Sequence, residues 1–145
     1  MKVQNYKNHI QYYPLHHFVW LPLSFILTAV CAICIFRYPA QQTMWIFFTS
    51  LAFLLLFSGV MMRQHYALGN QNRIVRLEMR LRYFQLTGNR IEPYEEQLGF
   101  GRIAALRFAS DDELPALLQR ALQDNLSAAD IKKAIKNWHA DWMRV

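Results

Sequence analysis

The chain has 145 residues, 54% of them apolar, and a formal net charge of +6. That length holds one domain, or one membrane unit with a small soluble unit behind it. Its two cysteines, Cys31 and Cys34, build no disulfide framework, and its excess of bases lacks the basic and aromatic motif of a nucleic-acid reader.

Residues 1–13 form an N-terminal arm with Lys2, Lys7 and His9. Residues 14–62 follow as two strongly apolar runs, 14–36 and 40–62, with Arg37 as their single formal charge. At 1.5 Å per residue the first is about 34 Å long as a helix and the second is similar, enough for a hydrocarbon core of about 30 Å. A chain of this length has too little material to cover two consecutive helices that are apolar all round. The spacing therefore predicts a transmembrane helical hairpin turning at Arg37-Tyr38-Pro39, with Pro39 opening the second span. Tyr12, Tyr13, Trp20, Tyr38, Trp45 and Tyr66 fall near the two interfaces, where an amphipathic ring is best solvated. The arm is long and a second span follows at once, which argues against a cleaved signal peptide.

Charge orients the hairpin. Through Arg90 the chain carries +8, with Glu78 as its sole acid; from Ile91 onward it carries −2. The connection between the spans has one arginine, whereas both outer flanks are basic. The positive-inside rule then places both termini in the cytoplasm.

Residues 63–90 read as a juxtamembrane basic helix. Ile74, Leu77, Leu81 and Phe84 recur at helical spacing, and Arg73, Arg76 and Arg80 follow a second stripe. Glu78 and Arg82 form an i, i+4 pair. Gly69-Asn70 marks a weak point, and Gly88-Asn89 a stop. Residues 91–145 read as a small cytoplasmic three-helix unit. A helix over 97–108 is weakened by Gly99 and Gly101. A capping box of Ser110 and Glu113 leads into a helix starting near Asp112 and ending near Gln123, with Pro115 in its first turn. Ser127 and Asp130 cap a last helix with Ile131, Ile135, Trp138 and Trp142 on one stripe. Some 55 residues are marginal alone, so this unit needs the 63–88 helix, another subunit or the membrane surface beside it. The fold class is thus all-α, a transmembrane hairpin continuing into a cytoplasmic helix and a small helical unit.

Gln4-Asn5-Tyr6-Lys7-Asn8-His9, Ala105-Leu106-Arg107-Phe108-Ala109-Ser110 with Asp111-Asp112-Glu113-Leu114-Pro115, and Ile131 to Trp138 with Asp141 and Arg144 carry a resemblance over nearly the whole chain. Together they resemble a bacterial family of small two-span membrane proteins of unknown function. The resemblance implies architecture and a bacterial inner (cytoplasmic) membrane, and no functional residues.

Several residue groups are candidates for function. His16 and His17 open the first span and His65 follows the second, so a hairpin puts them at one interface, where they suit a metal or a headgroup. Simple solvation among headgroups is the preferred reading. Cys31 and Cys34 lie one turn apart in the first span, where redox or metal use needs an activated thiolate and packing is favoured over chemistry. Arg63, Arg73, Arg76, Arg80 and Arg82 suit anionic lipid, at about 1 kcal/mol per residue near the surface. Ser24, Thr28 and Ala32, answered by Thr49 or Ser50 with Ser58 and Gly59, form a small-residue stripe for helix packing, within the hairpin or between copies.

No P-loop, nucleophile elbow, zinc-protease helix or dinucleotide fingerprint is present, and residues 1–77 contain no acid. The expectation is a non-enzymatic, self-associating scaffold or interaction subunit without a cofactor. Its partners are anionic bilayer lipid, further copies of the chain and a cytoplasmic protein, and nucleic acid is not among them. The alternatives are an oligomeric pore or transport subunit, and a small metal or redox protein built on the interfacial histidines.

Overall fold

Apolar runs without charge form helices because every backbone group is satisfied within the segment. The computed structural model describes residues 3–142; Lys2 and Arg144 lie outside them. The described chain is helical, with one isolated bridge, Ala109 to Trp138, and no strand. It divides into two units. One is Tyr12–Gly69; the other joins the N-terminal arm, through Gln11, to the chain from Asn70 onward.

In the first unit a π-helical segment, Leu15–Trp20, leads into α1 (Leu21–Arg37). Tyr38 leaves helical geometry, a 3-10 turn follows at Pro39–Gln41, and α2 covers Gln42–Met61. The antiparallel pair meets along small side chains. Cys31 and Ala52 are its two buried residues among those described, and Thr28 and Gly59 are half-buried in the same seam. A Cβ on Gly59 would run into the indole of Trp20, so that contact requires glycine. Thr28 turns its hydroxyl back to the Ser24 carbonyl at 2.8 Å, and Thr49 does the same to Trp45 at 2.8 Å. Such back-bonding hides a hydroxyl on an apolar helix. The outward faces carry phenylalanine, leucine, isoleucine and valine, largely exposed.

After α2, a second π-helical segment, Met62–Ala67, leads into α3 (Leu68–Thr87). Helix continues through Gly69-Asn70, the expected weak point, and the widened turn lies just before it. Gly88 follows with φ +70°, its amide bonded to the Phe84 carbonyl at 2.8 Å, as the predicted stop requires.

The second unit has an ordinary aqueous core. A 3-10 turn at Glu92–Tyr94 starts α4 (Glu95–Leu106), which kinks at Gly99, where φ 66° and ψ 162° suit only glycine. Then come α5 (Leu114–Gln123) and α6 (Ala128–Ala134). Val75, Met79 and Tyr83 of α3 join Ile91, Leu106, Phe108, Leu118 and Ile131 in one buried cluster. The small unit therefore takes α3 as part of its core.

Two expected features differ. The Ser110–Glu113 capping box does not form. Pro115 fixes the first turn of α5 and Glu113 becomes its cap residue, without a side-chain bond to the helix. The Glu113 carboxylate instead accepts the amides of Lys136 and Asn137 at 3.2 to 3.3 Å. The last helix stops at Ala134 and does not reach Trp142. Ile135 turns to extended geometry, and Ser110 N and His139 N bond to the carbonyls of Asn137 and Phe108. Ile135 is buried, Trp138 packs against the core, and Trp142 is exposed. The Ser127 cap forms as expected, its hydroxyl accepting Asp130 N at 3.2 Å. The bonds from Ser127 hold the Asp130 carboxyl below the usual aspartate range.

Candidate functional site

At the start of the first unit, the Tyr13 carbonyl engages His17 Nδ1 at 2.9 Å. His16 lies beside His17 and stacks on Trp20, ring centroids 5.6 Å apart. His65 is exposed. His17 is thus held by the Tyr13 carbonyl and His16 by the Trp20 face, with their own rings 5.2 Å apart. The expected meeting of His16, His17 and His65 around a metal is not present: among the described residues no three His, Cys, Asp or Glu form a group able to hold an ion. Cys31 and Cys34 are free thiols, buried and half-buried respectively.

The small-residue stripe divides. Ser24, Thr28 and Ala32 are half-buried, and Gly59 receives Trp20. Ser58 is exposed, and Ala52 is the buried residue of α2. The shift is one of helical register, because Thr49, Ala52, Leu56 and Gly59 share one stripe of α2 and Ser58 lies on its neighbour.

The basic stripe also divides. Arg76 Nη1 meets Glu95 Oε2 at 3.0 Å, and Arg80 holds the same carboxylate twice, at 2.6 and 3.0 Å. The Arg80 bond, opposed by burial and aided by both arginine charges, keeps the Glu95 carboxyl below the usual glutamate range. Arg82 turns from Glu78 to Asp111 at 2.7 Å and to the carbonyls of Arg107 and Ala109 at 2.9 and 2.6 Å. The expected Glu78–Arg82 pair is therefore replaced. Arg76, Arg80 and Arg82 bind α3 to the core unit. Arg63 and Arg73 form no ion pair among the described residues.

The N-terminal arm takes a position that no periodicity or motif announces. Gln4 is buried, and its side-chain amide pairs with the backbone of Asp141 as a strand would: Oε1 accepts Asp141 N at 2.8 Å and Nε2 donates to Asp141 O at 3.0 Å. Beside it Arg107 bonds Asp141 Oδ2 at 2.7 Å and lies 4.0 Å over the Phe108 ring. His9 sits against Phe108 and Trp138, at 5.7 and 5.8 Å between centroids. The Tyr6 carbonyl can only accept, so His9 Nδ1 at 2.7 Å carries the proton and Nε2 receives Lys132 Nζ at 2.9 Å. Burial holds the His9 pKa below the usual histidine value. The Lys132 and Arg107 charges act in the same sense, against the Tyr6 bond. An open groove of about 420 Å³ lies between Tyr6-Lys7 and Lys132-Lys133. These groups make a non-covalent latch across 137 residues of chain. The available signal was that both of its ends, Gln4–His9 and Ile131–Asp141, carry the family resemblance.

Comparison with curated proteins and with solved structures gives no match. The model of a family of unknown function, DUF6526, matches residues 1–145, and the chain therefore belongs to that family.

Proposed function

We propose that this protein is a small integral membrane scaffold of the bacterial inner membrane, anchored by the α1–α2 hairpin and presenting its core unit in the cytoplasm. One observation carries the reading. Two helices, Leu15–Arg37 and Pro39–Thr87, contain stretches long and apolar enough to cross a bilayer, and only 6% of each stretch is buried within the chain. A core helix of an aqueous protein hides such a face; exposed to water, this surface far exceeds the few hundred Å² a soluble monomer tolerates. The single arginine between the spans and the basic outer flanks support cytoplasmic termini. Arg63, at the end of the second span, suits anionic headgroups. A scaffold role is supported by the latch and the closed core, which hold the arm and the helical unit together for presenting surfaces.

Membrane fractions washed at alkaline pH test the anchor. The chain is expected to stay with the bilayer and to be released by detergent alone. Recovery in the aqueous wash would overturn the reading. On intact cells its C-terminal region is expected to survive external protease.

A further inference from the structure

The two apolar faces of α3 lie on opposite sides of the helix. Val75, Met79 and Tyr83 are buried in the chain's own core. Ile74, Leu77, Leu81 and Phe84 are each more than half exposed. Their spacing of three, four and three residues is that of the a and d positions of a coiled-coil seam. In that register Arg73 and Arg80 take g positions, and Glu78 and Gln85 take e positions. Arg80 is held by Glu95, whereas Arg73 and Glu78 are exposed and outside every ion pair described. Glu78 is also the sole acid before Glu92, so its place beside this seam stands out from a basic background.

From this we infer that the exposed face of α3 docks on the same face of a second copy, in parallel, with Arg73 of each chain against Glu78 of the other. The charge pattern selects both occupant and direction. Parallel pairing brings a g residue to the e′ residue five positions on, which joins Arg73 to Glu78 twice by symmetry. Antiparallel pairing sets g against g′ and e against e′, placing arginine on arginine. A membrane surface as occupant leaves Glu78 facing anionic headgroups, which is unfavourable. In the hairpin stripe, Thr28 bonds the Ser24 carbonyl of its own helix and Gly59 receives Trp20 of the same chain. The membrane reading above, on which the anchoring rests, agrees with that direction, because two chains anchored in one bilayer both start α3 from the membrane end. Anchoring also raises the local concentration that a seam of two heptads needs.

The test uses the full chain in detergent and in liposomes, with Cys31 and Cys34 replaced by alanine. Single cysteines at Leu77 and at Leu81 are expected to cross-link to themselves between chains, and one at exposed Asp112 is not. Arg73→Glu and Glu78→Arg should each lower the dimer fraction about tenfold, as two attractive contacts become repulsive. The double reversal should restore it, with helical circular dichroism unchanged throughout. Failure of the reversals to rescue each other would overturn the proposal. So would lipid-soluble quenching of a label at Leu81 in a monomeric chain, which would assign the face to the bilayer. Detergent-free recovery of the chain would overturn the membrane reading alone, since the charge rescue is measured equally well in solution.

Discussion

The two units use the same secondary structure and invert its burial. In Tyr12–Gly69 the small side chains are inside and the large apolar ones outside, with Cys31 and Ala52 buried and Phe25, Phe47 and Leu54 exposed. In the other unit Phe108, Leu118 and Ile131 are inside, and its helices are tied together by arginine–carboxylate pairs. On the proposed membrane reading, helix formation is indifferent to solvent, and what each helix packs against records which solvent it faces. Between small residues the drive is close contact and dispersion; in the core unit it is removal of apolar area from water.

The largest effect expected from breaking this contrast is at the core. Leu118→Ala removes a fully buried side chain and should cost the core unit about 2–5 kcal/mol in denaturant titration. Leu54→Ala, the same truncation on the outer face of the hairpin, should cost less than about 0.5 kcal/mol. Similar costs at the two sites would contradict the inversion.

Next comes the clamp that joins α3 to the core. Glu95→Gln keeps the shape but removes the charge shared by Arg76 and Arg80, which are themselves more than one-third exposed. A loss of about 1 kcal/mol is expected, discounted for that exposure. Because Glu95 ionises below its ordinary range in the fold, its contribution is full above about pH 4.3 and disappears as pH falls through the folded value. The variant's thermal midpoint should accordingly approach that of the parent in acid.

The latch gives a smaller and more local response. Gln4→Ala leaves two backbone groups of Asp141 without these bonds, and about 1 kcal/mol of docking should be lost. Hydrogen exchange at the Asp141 amide measures it, and an unchanged rate would refute the latch. His9 adds a pH dependence of known sign. Its folded pKa lies below the ordinary value, so the unfolded arm takes up the proton first. Docking is full above about pH 6.5 and weakens as pH falls from there through the folded value. The Asp141 amide should exchange faster relative to the global rate at pH 5.5 than at pH 7.5, and His9→Gln should flatten that difference.

Least is expected of Arg63→Gln. Loss of one headgroup contact should weaken the preference for anionic over neutral vesicles by about 1 kcal/mol at low salt, and by less at high salt.

Length, apolar runs and turn residues made the hairpin, the Gly88 stop and the Ser127 cap legible. Periodicity also located α3, but it could not say which of two apolar faces turns inward. Ile74, Leu77, Leu81 and Phe84 make the better stripe by eye, and Val75, Met79 and Tyr83 are the residues buried. The failed Ser110 cap has a plain cause: Glu113 gains two backbone amides of a segment more than twenty residues away, which outweighs a local bond. The end of α6 was misjudged because Trp138 and Trp142 continue a helical spacing while the backbone pairs with Ala109. The three histidines do not gather because His65 is exposed while His16 stacks on Trp20 and His17 is held by the Tyr13 carbonyl. The latch was illegible because a contact across 137 residues leaves no periodic trace.

The account rests on the hairpin and the core unit facing different solvents, and spin labels on the full chain in liposomes measure this directly. Labels replacing Phe25 and Leu54 should collide readily with dissolved oxygen and scarcely with a water-soluble nickel chelate, while a label at Asp112 should show the reverse. Ready collision of nickel with Phe25 and Leu54 would mean that these helices lie in water, and the account would fail.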